Sequence, residues 1–413
     1  MKRASSVLLS LAVALSIGQP ARAGDAPAGG YGYAAALGGD LDKTVGEAVG
    51  KGKKFLLGKR DDASGAFAAK SPIAAGMTAL ATLALIGATP RESVSTDPTI
   101  EKSLEFLASR QKPATGAIAG ENEQYANYET SLAISAFATA RIGKFAAVQG
   151  KARDYVLSLQ IQGDEKDVNY GGQPYEKEDP PYSSDLSNAQ HAAQAIHDAA
   201  AKDQKETDYF SRLVHFLDRS QNSSERNDTK MKMTFDGKEK EVVSGNDGGA
   251  GYGPGHSQAG HEERPDGKMQ PRSYGSMTYA LLKCLLFAGV KVDDPRVKAA
   301  VAWLSKNFTV EKNPGFDEKD PKAAQQGYFY YCLTMARALA EYERANGNKP
   351  FGVKDESGAT HEWRKELAKK LVSLQKPDGS WLNEKAERWE EGNPVVATAY
   401  VVQALAICQG RLP

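Results

Sequence analysis

Two kinds of apolar pattern alternate along the chain. In the first, apolar residues recur at three- and four-residue spacing between charges, as in Glu101-Lys102-Ser103-Leu104-Glu105-Phe106-Leu107. Such a stripe predicts a helix with one buried face. In the second, charge nearly vanishes over a dozen or more residues, in Ile73 to Ala88, Tyr128 to Ala140, Leu186 to Ala200, Tyr274 to Ala288, Tyr328 to Leu339 and Val395 to Ile407. Lys283 and Arg337 are among the few exceptions. A helix that is apolar all round is enclosed by other protein. The alternation therefore predicts two layers: an inner ring of apolar helices, each joined to an outer amphipathic helix, closing as a barrel of helix hairpins.

The hairpins repeat. Each amphipathic segment ends in an aromatic-aliphatic pair, often followed by Gln and then by a Gly turn. Examples are Phe106-Leu107 with Gln111 and Gly116, Tyr155-Val156 with Gln160 and Gly171, Phe216-Leu217 with Gln221 and Gly248, and Leu371-Val372 with Gln375, Gly379 and Trp381. Phe55-Leu56 with Gly65 and Phe67, and Trp303-Leu304 with Gly315-Phe316, lack the Gln. Six units in phase occupy nearly all of the chain beyond its first residues, and a period of this length signals one repeat architecture instead of several domains.

These residues resemble the QW-type repeat of squalene cyclases and protein prenyltransferase β subunits, which runs from a basic and an aromatic residue through Gln to Gly and a second aromatic. The resemblance implies an all-α fold, an α/α toroid (α6/α6 barrel) of six hairpins forming a single closed domain over 47–413. It also implies that the Gln, Gly and aromatic residues tie one repeat to the next and are structural.

Composition narrows the function classes. The 413 residues carry 52 Lys plus Arg and 52 Asp plus Glu, a balance that gives no basic footprint for nucleic acid. Lys2 and Arg3, the apolar stretch Val7 to Ile17 and Ala21-Arg22-Ala23 match a signal peptide cleaved after residue 23. Export to the periplasm or the outside is the expectation, with no stable membrane span after cleavage. Removing Lys2, Arg3 and Arg22 leaves the remainder about three charges negative. Residues 24–46, rich in Gly and Ala, read as a flexible leader. Cys284, Cys332 and Cys408 each lie in an apolar stretch and read as core residues. The polar segment 222–271 interrupts the fourth unit. Its Asp236-Gly237 pair predicts a hairpin, and its Gly248 to Gly255 cluster lacks the Lys-Ser or Lys-Thr of a phosphate loop. The segment reads as a solvated excursion, with a lid at the cavity mouth as the alternative.

In such a toroid the Gly turns bring the inner-helix N-termini to one mouth, so residues near those starts are the site candidates. They are Tyr128 and Glu129; Asp185 and Asn188; Arg272, Tyr274 and Ser276; and Gln326, Tyr328 and Tyr330. Asp185 and Glu129 are the candidate acid or base, and the others are candidate ligand contacts. The acid motif that the cyclase resemblance implies, Asp-x-Asp-Asp, is replaced here by Asp185-Leu186-Ser187-Asn188. Tyr328 occupies the place of the prenyltransferase zinc His, and no cofactor or metal is expected. Two functions follow. One is a small apolar or sugar ligand held in the central cavity. The other is an enzyme of the class II terpene cyclase-like or polysaccharide lyase type that uses Asp185 or Glu129.

Overall fold

The computed structural model describes residues 37–121, 123–176, 184–317, 320 and 322–412. The expected signal peptide and the first part of the leader lie outside these residues. Among them, six outer helices alternate with six inner ones. The outer helices are α1 (Gly39–Leu57), α3 (Pro98–Ser109), α5 (Ala146–Leu159), α7 (Gln204–Ser220), α9 (Pro295–Lys306) and α11 (Trp363–Ser373). The inner helices are α2 (Ala74–Gly87), α4 (Ala126–Ala140), α6 (Leu186–Ala199), α8 (Gly275–Phe287), α10 (Tyr328–Ala345) and α12 (Pro394–Cys408). Each inner helix packs on the next, and α12 packs back on α2, so the ring closes. The fold is an all-α toroid.

The two layers follow from the two patterns. Every residue of α2 is buried, and so is every residue of α12 after Pro394. In α7 the buried residues Tyr209, Phe210, Leu213, Phe216, Leu217 and Ser220 form one stripe, with Arg219 buried at its edge, as a helix with a solvent face requires. Cys284, Cys332 and Cys408 are buried free thiols within the inner ring. None of the described helices is long and apolar enough to cross a membrane.

The repeat residues bind neighbouring units together. The Gln111 amide donates to Gly116 O (3.2 Å) in its own turn and to Val148 O (2.8 Å) at the start of α5. Gln160 reaches Tyr209 O of α7 (2.9 Å), Gln221 reaches Arg296 O of α9 (3.0 Å), and Gln375 reaches Ala48 O of α1 (2.9 Å), which joins the last unit to the first. In the first unit Arg60 stands in for the Gln and donates to Thr99 O of α3 at 3.4 Å. In the fifth unit Phe308 takes that place and packs on the ring of His361 instead. Gly379 has φ +88°, and a Cβ there would lie 2.7 Å from Lys51 O, so glycine is needed both for its conformation and for the close approach. A threonine then sets four of the six inner helices, α2, α4, α8 and α12, against their turns. The Phe67, Ile118, Ala250 and Trp381 amides donate to the hydroxyls of Thr78, Thr130, Thr278 and Thr398 at 2.9–3.0 Å.

Two expectations need correction. Helix α1 begins at Gly39, inside the segment read as leader. Val45, Ala48, Val49 and Leu56 form its buried stripe, and the Gly/Ala-rich composition concealed the start of that period. The 222–271 segment is no solvated excursion. It holds a four-stranded sheet of β1 (Lys230–Phe235), β2 (Lys238–Val243), β3 (His261–Glu263) and β4 (Met269–Pro271), in the order β1-β2-β4-β3. Asp236-Gly237 makes the two-residue turn between β1 and β2, and both residues have positive φ. The Gly cluster reflects close packing. A Cβ on Gly255, for instance, would lie 2.6 Å from the Met231 sulfur.

Candidate functional site

The inner-helix N-termini surround a cavity of about 740 Å³, within the roughly 300–1,000 Å³ range of small-molecule sites. Its walls come from the first two turns of the inner helices and from the loops that precede them. Tyr128 of α4, Ser187 and Asn188 of α6, Ser276 of α8, Tyr330 of α10 and Tyr400 of α12 all face it. Loops contribute Tyr125, Tyr175 and Trp389, and the inserted segment contributes Tyr252. Tyr125 and Trp389 are partly exposed at the rim. Tyr252 shows that the insertion forms part of the cavity wall.

Six hydroxyls of this wall are paired within it. The Tyr128 and Tyr400 hydroxyls lie 3.3 Å apart, and those of Tyr175 and Tyr252 lie 3.0 Å apart. The Tyr330 hydroxyl meets Ser187 Oγ and Gln190 Nε2, each at 3.1 Å. Burial raises the Tyr128 and Tyr175 hydroxyls to about 12, so both remain protonated at neutral pH. The Tyr128 ring stands edge-on to His191 at 4.9 Å. His191 is held neutral by burial and by the nearby charges of Lys283 and Arg337, which push its imidazole well below the usual range. Among the described residues the chamber surface is thus aromatic and nearly uncharged, with Glu390 at its rim.

Five of the ten sequence candidates meet here: Tyr128, Asn188, Tyr274, Ser276 and Tyr330. The other five do not line the cavity. Glu129 lies one residue beyond Tyr128, hence about 100° round the helix, and faces the neighbouring hairpin. Its two oxygens accept the Gly76 and Gly120 amides, each at 2.9 Å, and burial raises its pKa. The Tyr328 hydroxyl donates outward to Val310 O at 2.6 Å. Gln326 accepts from Arg388 at 2.9 Å. Arg272 lies in a separate surface cleft beside Asp247 and Trp303.

Asp185 is one layer behind the wall. It caps α6, with Oδ1 accepting the Asn188 amide N–H (2.7 Å) and Oδ2 accepting the Asn188 side-chain amide (2.8 Å). The Tyr252 hydroxyl is a further donor to it. Burial outweighs these donors and pushes the carboxyl up to about 7. The arrangement places a titrating carboxyl behind Asn188 and Tyr252, both of which touch the cavity.

The wall residues missing from the candidate set fall into two groups. His191 and Tyr400 lie one helical turn below Asn188 and Val396 on the same faces, and extending the helix-start rule by i+3 or i+4 reaches them. Tyr125, Tyr175, Tyr252 and Trp389 are on loops, where no periodicity reports direction.

No protein-family model matches the sequence, and no curated protein sequence matches it. Among solved structures, the type II terpene cyclase MstE from Scytonema is 15% identical with TM-score 0.52, over 88% of this chain and 98% of that one. A variant of the same enzyme bound to geranylgeranyl dihydroxybenzoate is 16% identical with TM-score 0.53, over 90% and 99%. The GH76A alpha-1,6-mannanase from Salegentibacter sp. HEL1_6 is 11% identical with TM-score 0.55, over 88% and 98%. At these identities the likeness is one of fold: the chain has the α/α toroid that a terpene cyclase and a glycosidase also have.

Proposed function

We propose that the protein binds a small apolar, ring-bearing or isoprenoid-like ligand in the central chamber. The observation that carries this reading is the wall itself. Seven tyrosines, at 125, 128, 175, 252, 274, 330 and 400, enclose about 740 Å³, and several of their hydroxyls are paired with one another instead of being directed at a guest. A sugar needs many outward-facing donors and acceptors, whereas a hydrocarbon surface needs area and exclusion of water. The balance favours the apolar ligand over the sugar. The reading includes export, on the basic start and apolar stretch of residues 1–23.

A second reading, the enzyme, rests on Asp185. Its titrating carboxyl stands behind Tyr252 and Asn188 at the chamber wall, where it could exchange a proton with a bound ligand only through an intervening group. Native mass spectrometry of the purified protein, followed by extraction and incubation with prenylated probes, tests both. A retained apolar compound recovered unchanged supports binding. A product formed by wild type and not by Asp185→Asn supports catalysis, and retention of a glycan alone contradicts the proposal.

A further inference from the structure

Below the aromatic chamber the lumen narrows onto a polar layer made by the middles of the inner helices. A recess of about 20 Å³ lies there and shares Leu80, His191 and Tyr330 with the chamber above, so these three side chains form the boundary between the two. That is room for a body of about water size or a compact end group. Two cations face it, Lys283 from α8 and Arg337 from α10. The Lys283 ammonium donates to Gln190 Oε1 and to Gln194 Oε1 (3.1 Å). Arg337 donates to Gln403 Oε1 at 2.8 Å.

The partners are all neutral amides. Among the described residues neither cation has an ion pair. The carboxylates whose charge reaches Lys283 are Asp198 and Glu341, and both are engaged elsewhere, Asp198 by the Gln194 amide at 2.8 Å and Glu341 by Arg344. Two enclosed polar atoms also lack any partner, Arg337 Nε and His191 Nε2. A buried cation costs several kcal/mol unless a counter-charge and hydrogen bonds compensate it. Two together, supplied with amide oxygens and, for Lys283, the face of the Phe287 ring at 5.7 Å, leave an unmet demand for negative charge. Burial and the nearby Arg337 charge draw the Lys283 ammonium down to about 7, which is the response expected of a cation that lacks its anion. Nothing in the hydrophobic ring requires charge at this depth, since methionine or leucine would fill the same helix positions at lower cost.

We propose that this layer is an anion seat, and that the ligand of the chamber carries a carboxylate that enters the recess and pairs with Lys283 and Arg337. The proposal rests on the apolar-chamber reading and extends it from an apolar ligand to an apolar acid. The hydrocarbon body lies among the tyrosines above. The single charged end fits a recess too small for a bulky headgroup.

The test is displacement of the neutral fluorescent probe N-phenyl-1-naphthylamine by decanoate and by decan-1-ol, which share a chain and differ in the end group. In wild type, decanoate displaces the probe at a concentration at least tenfold lower than decanol. In Lys283→Met and, separately, Arg337→Gln, that ratio falls toward one while the decanol value is unchanged. Two variants on different helices guard against misfolding of either, and their melting curves are recorded alongside. Equal displacement by acid and alcohol in wild type overturns the anion seat while leaving the apolar chamber standing. A ratio retained in both variants does the same, and so does displacement by neither compound. Failure of the probe itself to bind contradicts the chamber reading and the seat together.

Discussion

Asp185 accepts two hydrogen bonds from Asn188, yet burial lifts its carboxyl from 3.8 to about 7. Between those values the folded protein holds a proton that the unfolded chain releases. The stabilising contribution is therefore full below about pH 4 and is lost as pH rises to about 7. Asp185→Asn removes that dependence. Relative to wild type, the variant is expected to gain about 2–3 kcal/mol between pH 5 and pH 8, read by urea titration at the two values. A constant difference would place the Asp185 titration outside this range. Glu129 makes the contrasting case, because both its oxygens accept backbone amides from adjoining segments. Glu129→Gln turns one acceptor into a donor facing a donor. It should cost about 1–3 kcal/mol of stability while leaving probe affinity within twofold of wild type, and a selective loss of binding would restore Glu129 as a functional residue.

At the scale of elements, the Gln-Gly staple carries the ring. Gly379→Ala must accommodate a Cβ 2.7 Å from Lys51 O at φ +88°, and should lose about 1–3 kcal/mol, visible as a lowered melting temperature. An unshifted melting curve would show that the closure between the last and first units tolerates displacement. Elements are also where the sequence was most legible. Five of the six inner helices begin within two residues of their predicted starts and end within two residues of their predicted ends, because a sharp fall in charge marks both limits even with Glu129, Asp198 and Lys283 inside the runs. Tyr328–Ala345 runs past Leu339, since the charges of its last turns, Glu341, Glu343 and Arg344, interrupt the apolar run without interrupting the helix. What the pattern did not carry was direction. Tyr128 and Glu129 are neighbours in sequence, but the helix turns one toward the lumen and the other into a packing contact. Likewise Tyr330 reaches the chamber, whereas Tyr328 bonds outward to Val310. Loop residues such as Tyr252 and Trp389 report only composition, so half of the aromatic wall became visible only when the ring was assembled.

For the whole molecule, the arrangement is a closed ring whose interior is graded along its axis, from an aromatic chamber at the helix starts to a cationic layer at mid-depth. Four Gln staples, Arg60 in the first unit and the Phe308–His361 contact in the fifth keep the helix ends in register, and the inserted segment brings Tyr252 to the wall. The central claim is that this chamber is an apolar ligand site. Its most direct test is a titration of wild type and Ile73→Trp with N-phenyl-1-naphthylamine. Ile73 lies on the wall and is only partly buried, so the larger ring intrudes on the chamber with little disturbance of the core. Saturable binding of one probe per chain in wild type, weakened at least tenfold in Ile73→Trp with an unchanged melting temperature, is the predicted result. Equal binding by the two proteins, or no saturable binding by wild type, would contradict the account.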